Sequence, residues 1–297
     1  MKRLSIALAA MALSAFQADA RVIAIDLFND PSYIRGGAVY PNSNVDIGYG
    51  AGIGPNDGTG FTTGWSNPYY TSVRTLAPGL AYPGLETSGL SAQSTAYVAC
   101  TYCVNSTAVR TFSDNTATTN LWVSFLIRDD GVSAQNFSLY PNYGGFGLMA
   151  GGAVPLFAGV PGVQPNSTAD YSLQSPTLVV QSADAAALGQ TDLIVVDLTS
   201  SGEAYLYVDP TVGQPLGAPA ASIATTLTPS TATGFWWTDS WGWTYGDLRV
   251  GTTYTDVTPA GGPSPVPEPA AWAIMLLGFA GVGAALRARG KAVRATA

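Results

Sequence analysis

The chain has 297 residues, 47% hydrophobic and 11% aromatic but only 10% charged, so it has ample material for a core and lacks the charge-rich, aromatic-poor makeup of disorder. Between Arg21 and Pro265, six arginines and no lysine stand against fifteen Asp and two Glu. Such a body repels nucleic acid, which needs phosphate-neutralising Lys and Arg, and offers no polybasic patch to anionic lipid. Histidine is absent, which excludes Ser-His-Asp and Cys-His nucleophilic sites and the usual catalytic zinc.

Met1-Lys2-Arg3 is a short positive segment, and Leu4 to Phe16 is an apolar run too short to span a bilayer well. Ala18 and Ala20 then supply the small residues that signal peptidase reads. Residues 1–20 are therefore expected to be a signal peptide, with Arg21 the first residue after cleavage. The alternative is a short buried helix.

Residues 21–259 form the body. Alternating or short apolar runs predict strands at Val22–Phe28, Ala96–Cys100, Leu121–Ile127, Phe137–Tyr140, Gly145–Ala150, Thr177–Gln181, Asp192–Leu198, Ala204–Val208, Gly234–Thr238 and Asp247–Val250. Turn chemistry separates them at Asp129-Asp130-Gly131, Pro141-Asn142, Ser201-Gly202 and Asp209-Pro210. No stretch of the body has sustained helical periodicity with caps, and no internal repeat is visible. The expected fold is all-β, a two-sheet antiparallel sandwich.

Stretches such as Leu27-Phe-Asn-Asp-Pro31, Gly58-Thr-Gly-Phe-Thr-Thr-Gly-Trp65, Tyr205-Leu-Tyr-Val-Asp-Pro210 and Gly246-Asp-Leu-Arg-Val-Gly-Thr-Thr-Tyr-Thr-Asp-Val257 make the body resemble the laminin-G/concanavalin A-like jelly roll. In the last of these, Leu248 and Val250 are expected to face the core, Asp247 and Arg249 the other side, and Val257 to tuck in before the linker. An unrelated β-sandwich is the alternative. The resemblance implies calcium as a possible ligand. Asp129, Asp130, Asp209 and Asp239 lie in predicted turns, but no loop matches a calcium pattern, so solvated turn residues are the first expectation and no cofactor or metal is assigned.

Cys100-Thr-Tyr-Cys103 is the single thiol pair, expected to be a local disulfide in an exported protein. A redox pair or reduced thiols are the alternatives. Phe235 to Tyr245 concentrates Trp236, Trp237, Trp241 and Trp243 around Thr238-Asp239-Ser240. Aromatics beside the Asp239 carboxylate can stack on sugar rings, which makes these five residues candidate glycan contacts. The alternating positions equally suit the packed face of a hairpin, and that reading ranks first. Glycoside hydrolysis needs two flanking carboxyls. Glu86 and Glu203 are far apart in sequence, and Asp192 and Asp197 are at odd spacing, on opposite faces of a strand. No catalytic residue is assigned.

Residues 260–269 are a Pro/Gly linker, residues 270–286 carry no formal charge and can form a short transmembrane helix, and residues 287–297 are a basic tail. Trp272 suits the membrane interface, and Arg287, Arg289, Lys291 and Arg294 place their end in the cytoplasm. The run Val266-Pro267-Glu268-Pro269-Ala270-Ala271-Trp272-Ala273, then helix and arginines, resembles the PEP-CTERM sorting signal in its PEPxxWA variant. That resemblance implies Gram-negative bacteria, recognition by an exosortase-type enzyme, and removal of the tail near Pro267, Glu268 and Pro269. An ordinary anchor is the alternative.

The sequence thus leads to an exported envelope or extracellular-matrix protein, held briefly in the inner membrane and processed by signal peptidase and an exosortase-type enzyme. Its expected role is structural or adhesive and non-catalytic, with exopolysaccharide as the partner. The alternative is a glycan-active enzyme, an aspartate-based glycoside hydrolase or lyase on the same fold.

Overall fold

The computed structural model describes residues 21–28, 44–47, 58–62, 64–65, 71–95, 106–115, 117, 119–131, 143–161, 170–240 and 242–261. Ala18, Ala20, Cys100, Cys103, Trp241, Pro267, Glu268, Pro269, Trp272, Arg287, Arg289, Lys291 and Arg294 lie outside them, as do the strands expected at Ala96–Cys100 and Phe137–Tyr140 and the expected transmembrane helix. Among the described residues no helix is long and apolar enough to cross a membrane. The chain divides into Met1–Ala260 and Gly261–Ala297, and the strands among the described residues belong to the first unit.

The protein is an all-β, two-sheet antiparallel jelly-roll sandwich. Among the described residues the larger sheet has nine strands: β1 (Val22–Asp26), β2 (Asn44–Ile47), β3 (Thr71–Leu76), β4 (Ser91–Thr95), β6 (Asn120–Asp129), β11 (Thr191–Thr199), β12 (Glu203–Val208), β13 (Ala221–Ala224) and β15 (Trp243–Gly251). Their order is β13-β12-β11-β6-β15-β4-β3-β2, with β1 joining β4 along the far edge of β15. The smaller sheet runs β10 (Val179–Ala185), β9 (Asp170–Gln174), β8 (Ala153–Val160), β7 (Gly144–Ala150), β14 (Gly234–Asp239) and β5 (Ser106–Thr111). A short helix, α1 (Tyr254–Val257), follows β15.

β6 and β11 read as continuous apolar runs because both of their faces are covered. Leu121, Val123, Phe125, Ile127, Ile194, Val196 and Leu198 fill the space between the sheets. On the outside, Leu126, Leu193 and Val195 pack with Leu80, Leu85 and Val257, so the segment around Leu80–Leu85 and α1 forms a partial third layer. Leu248 and Val250 point into the inter-sheet core as expected, while Asp247 and Arg249 face this outer layer. There the Asp247 carboxylate accepts from Ser88 N at 3.1 Å, and Arg249 Nη2 donates to the Glu86 carbonyl at 2.9 Å. Asp247 sits at φ 49°, where β15 slips its register against β6.

The inter-sheet core is dominated by rings. Trp237 meets Trp65 at 5.8 Å and Tyr245 at 5.0 Å, and Phe146 meets Phe125 at 5.0 Å and Tyr245 at 5.1 Å. All four are edge-to-face, the arrangement the ring quadrupole favours. Beside them is a buried ion pair. Arg110 on β5 (1% exposed) bonds Asp26 on β1 (0% exposed), and the same carboxylate takes Trp65 Nε1–H at 2.6 Å and Phe28 N–H at 2.9 Å. The guanidinium also stacks over the Phe61 ring at 4.0 Å. Every oxygen of Asp26 thus has a donor, which is the condition under which a buried charge is tolerable.

Candidate functional site

The smaller sheet turns alternate residues of each strand to opposite faces. On β14, Phe235, Trp237 and Asp239 go inward and are buried, while Trp236 and Thr238 go outward and are half-buried. Strand register then lays two rows across the outer face. One row runs Val109, Trp236, Gly147, Phe157, Gln174, Val179. The next runs Thr107, Thr238, Gly145, Gly159, Ser172, Gln181. Rings and an amide thus lie beside a row of glycines and hydroxyls.

The result is a cleft of about 370 Å³ lined by Tyr143, Val154, Phe157, Gln174, Ser175, Pro176, Trp236 and Thr238. Two glycines of the adjoining row let β7 and β8 approach closely. A Cβ on Gly145 would fall 2.2 Å from the Ala158 carbonyl oxygen, and one on Gly159 would fall 2.2 Å from the Gly144 oxygen. Larger residues there would push β7 and β8 apart. Tyr143 is braced at the rim, since its N–H donates to Ser240 Oγ at 3.0 Å and its carbonyl accepts from Ser240 N at 2.9 Å. None of the eight lining residues is acidic or basic. The wall offers aromatic faces with amide and hydroxyl groups, which suits a ligand that is apolar on one face and rich in hydroxyls on its edge.

The residues singled out from the sequence are split by this geometry. Of the five candidate glycan contacts, Trp236 lines the cleft. Trp237, Trp243 and Asp239 do not: all three are fully buried, and this corrects their assignment as sugar contacts. The Asp239 carboxylate accepts Trp237 Nε1–H at 2.7 Å, so it satisfies an indole in the core. Burial, reinforced by the neighbouring Asp239 charge, pushes the Tyr245 hydroxyl well up. Trp243 fills the space left by Gly144, where a Cβ would come within 2.6 Å of its ring. The core reading of these residues holds, but not as a hairpin face. β14 and β15 belong to different sheets, so Trp237 and Tyr245 meet across the sandwich interior.

The acidic residues are committed elsewhere. Asp129 Oδ1 caps Gly131 N at 2.8 Å, and Asp130 accepts from Arg128 Nε at 2.5 Å and from Thr244 Oγ1. Asp192 and Asp197 do lie on opposite faces, Asp192 bonded to Tyr171 Oη at 2.7 Å and Asp197 to Asn120 Nδ2 at 2.6 Å. Asp192 instead meets Asp209, whose carboxyl is pushed up to about 6, first by desolvation and then by the Asp192 charge against the Leu193 N–H. Asp192 is 1% exposed and its oxygens are taken by Tyr171 Oη and Gln190 Nε2, so its carboxyl is closed off from a substrate at the surface. Among the described residues no three His, Cys, Asp or Glu side chains are grouped to hold a metal ion.

Phe157, Val154, Gln174 and Tyr143 were not singled out from the sequence. A signal for the first two was present: Gly151-Gly152 after the strand Gly144–Ala150 announces a two-residue hairpin. Only through the register shift between Leu148 and Ala150 does that hairpin pair Phe157 with Gly147, two strands from Trp236; the unshifted register sets Leu156 there instead. Pro155 and Gly159 inside β8 hide the alternation.

No family model matches the sequence, and no curated protein matches it. Among solved structures, an endo-beta-1,4-glucuronan lyase from the fungus Trichoderma reesei is similar at 13% identity and TM-score 0.42, over 74% of this chain and 99% of that one. Domain 4 of a family-43 extracellular arabinanase from Geobacillus stearothermophilus, solved with arabinotriose, is similar at 14% identity and TM-score 0.39, over 78% of this chain and 92% of that one. The globular domain of T. cruzi calreticulin is similar at 12% identity and TM-score 0.39, over 65% and 85%. These scores lie below 0.5, and the ligands and activities named for those proteins do not transfer to this chain.

Proposed function

We propose that this chain is an exported envelope or matrix protein whose sandwich binds an uncharged glycan, such as an exopolysaccharide, without cleaving it. The observation that carries the reading is the cleft on the smaller sheet. Trp236 and Phe157 offer ring faces for stacking, Gln174, Ser175 and Thr238 offer donors and acceptors for hydroxyls, and none of the eight described lining residues is a carboxylate, histidine or lysine, which leaves Tyr143 as the one titratable group among them. The surplus of acids over arginines in the body opposes polyanionic sugars and leaves neutral ones as the favoured class.

Export and sorting belong to the same proposal. The terminal segments support a leader removed by signal peptidase and a tail removed by an exosortase-type enzyme near Pro267-Glu268-Pro269, with the inner membrane a temporary anchor. Mass spectrometry of the cell-derived protein tests this directly. A chain lacking both ends supports it, and one retaining residues 270–297 contradicts it.

A glycan array read together with a reducing-sugar release assay tests the binding claim. Retention on neutral glycans with no sugar released is the expected result. Released sugar, or retention on acidic glycans alone, overturns it.

A further inference from the structure

Arg21 is tied to the far end of the body. Its backbone nitrogen lies 3.1 Å from Thr252 Oγ1 and 3.1 Å from Asp256 Oδ2, and Thr252 N donates back to the Arg21 carbonyl at 3.1 Å. The same Asp256 oxygen accepts from Thr253 N at 2.9 Å and from Thr252 N at 3.1 Å. Gly251 makes way for this carboxylate, since a Cβ there would fall 2.4 Å from Asp256 Cβ. Asp256 is thus an acceptor that collects backbone nitrogens, and Arg21 is its partner from 235 residues away.

A peptide nitrogen has one hydrogen, and at Arg21 it is divided between two acceptors at equal distance. An ammonium has three, enough for one to each acceptor with one left for water. We infer that cleavage of the Ala20–Arg21 bond creates an α-ammonium that Asp256 and Thr252 hold as a clamp between the start of β1 and the turn into α1. In that step signal peptidase adds water across the peptide bond. The hydroxyl goes to the Ala20 carbonyl and the proton to the Arg21 nitrogen; the new carboxylic acid then gives up its proton to the amine, leaving a carboxylate on the departing leader and an ammonium on the body. The shared hydrogen bond from a neutral N–H to the carboxylate becomes an ammonium–carboxylate pair in which both partners are charged. Leader removal thereby fastens the ends of the body together. This inference rests on the export reading, through cleavage after Ala20, and is independent of the glycan cleft.

The chain makes the amine readable. No lysine occurs between Arg21 and Lys291, so on the body the α-amine is the sole primary amine, and peptide mapping separates it from Lys291 wherever the tail remains. The exported protein is taken from cells, its first residue is identified by mass spectrometry, and it is labelled with an amine-reactive reagent near the ordinary α-amino range of about pH 8. Labelling is compared between the folded protein and the same protein in urea. Arg21 is expected as first residue, labelled several-fold more slowly when folded, with Asp256→Asn and Thr252→Val each raising the folded rate. A different first residue overturns the cleavage point and the clamp together. Arg21 first but equal rates folded and unfolded overturns the clamp alone. The comparison with urea needs no variant, so it stands even where Asp256→Asn does not fold.

Discussion

Trp236 and Trp237 are neighbours on one strand with opposite fates. Trp237 is sealed between the sheets among Trp65, Phe146 and Tyr245, while Trp236 forms part of an open cleft wall. The residue type is the same, and what differs is the face to which a period of two assigns it. The same division holds on β5, where Arg110 turns inward to Asp26 and Val109 turns outward beside Trp236. Clustered aromatics in a β-protein therefore do not mark a binding site until their register is known.

Breaking the inner face should cost most. Trp237→Ala removes a fully buried ring and is expected to destabilise by about 3–5 kcal/mol, read from the denaturant midpoint. Arg110→Met leaves the Asp26 carboxylate buried without its charge partner and should also cost about 3–5 kcal/mol. A loss under about 1 kcal/mol in either would show that the core can repack around it. Trp236→Ala, on the outer face, is expected to change stability by less than about 1 kcal/mol, because its ring is already partly hydrated.

A smaller effect is expected from pH. Burial pushes the Asp247 carboxyl up to about 6 despite Arg249 and the Ser88 N–H. Its folded pKa then exceeds its unfolded one, so the native state binds the extra proton between pH 4 and 6, and this group's contribution falls as pH rises through that window. Asp247→Asn removes that fall. Its stability relative to wild type should climb from pH 4 to 6 in parallel melts, and a pH-independent difference would refute the assignment.

Much of the fold was legible. β6, β11, β12 and β14 carry β-branched and aromatic runs whose ends lie within two residues of the sequence expectation. Strands such as β3 (TSVRTL), β5 (STAVRT) and β13 (ASIA) were not, because Ser, Thr and Ala look alike in a strand and a loop. Their pairing partners, not their composition, define them. β4 lies at Ser91–Thr95, just ahead of the run expected at Ala96–Cys100, for the same reason. The cleft was half legible. Trp236 was singled out with its neighbours, but separating it from Trp237 and Trp243 required knowing that β14 and β15 enter different sheets. Asp239 misled, because a carboxylate between tryptophans serves a sugar and a buried indole equally well in sequence.

The most direct test of the outer-face cleft is the affinity of the purified protein and its Trp236→Ala variant for a neutral oligosaccharide retained on the array, measured by titration calorimetry at matched pH and salt. Loss of the stacking ring should raise Kd about tenfold or more, while the melting temperature stays within a few degrees of wild type. Unchanged affinity in a folded Trp236→Ala protein would place the glycan elsewhere and contradict the account.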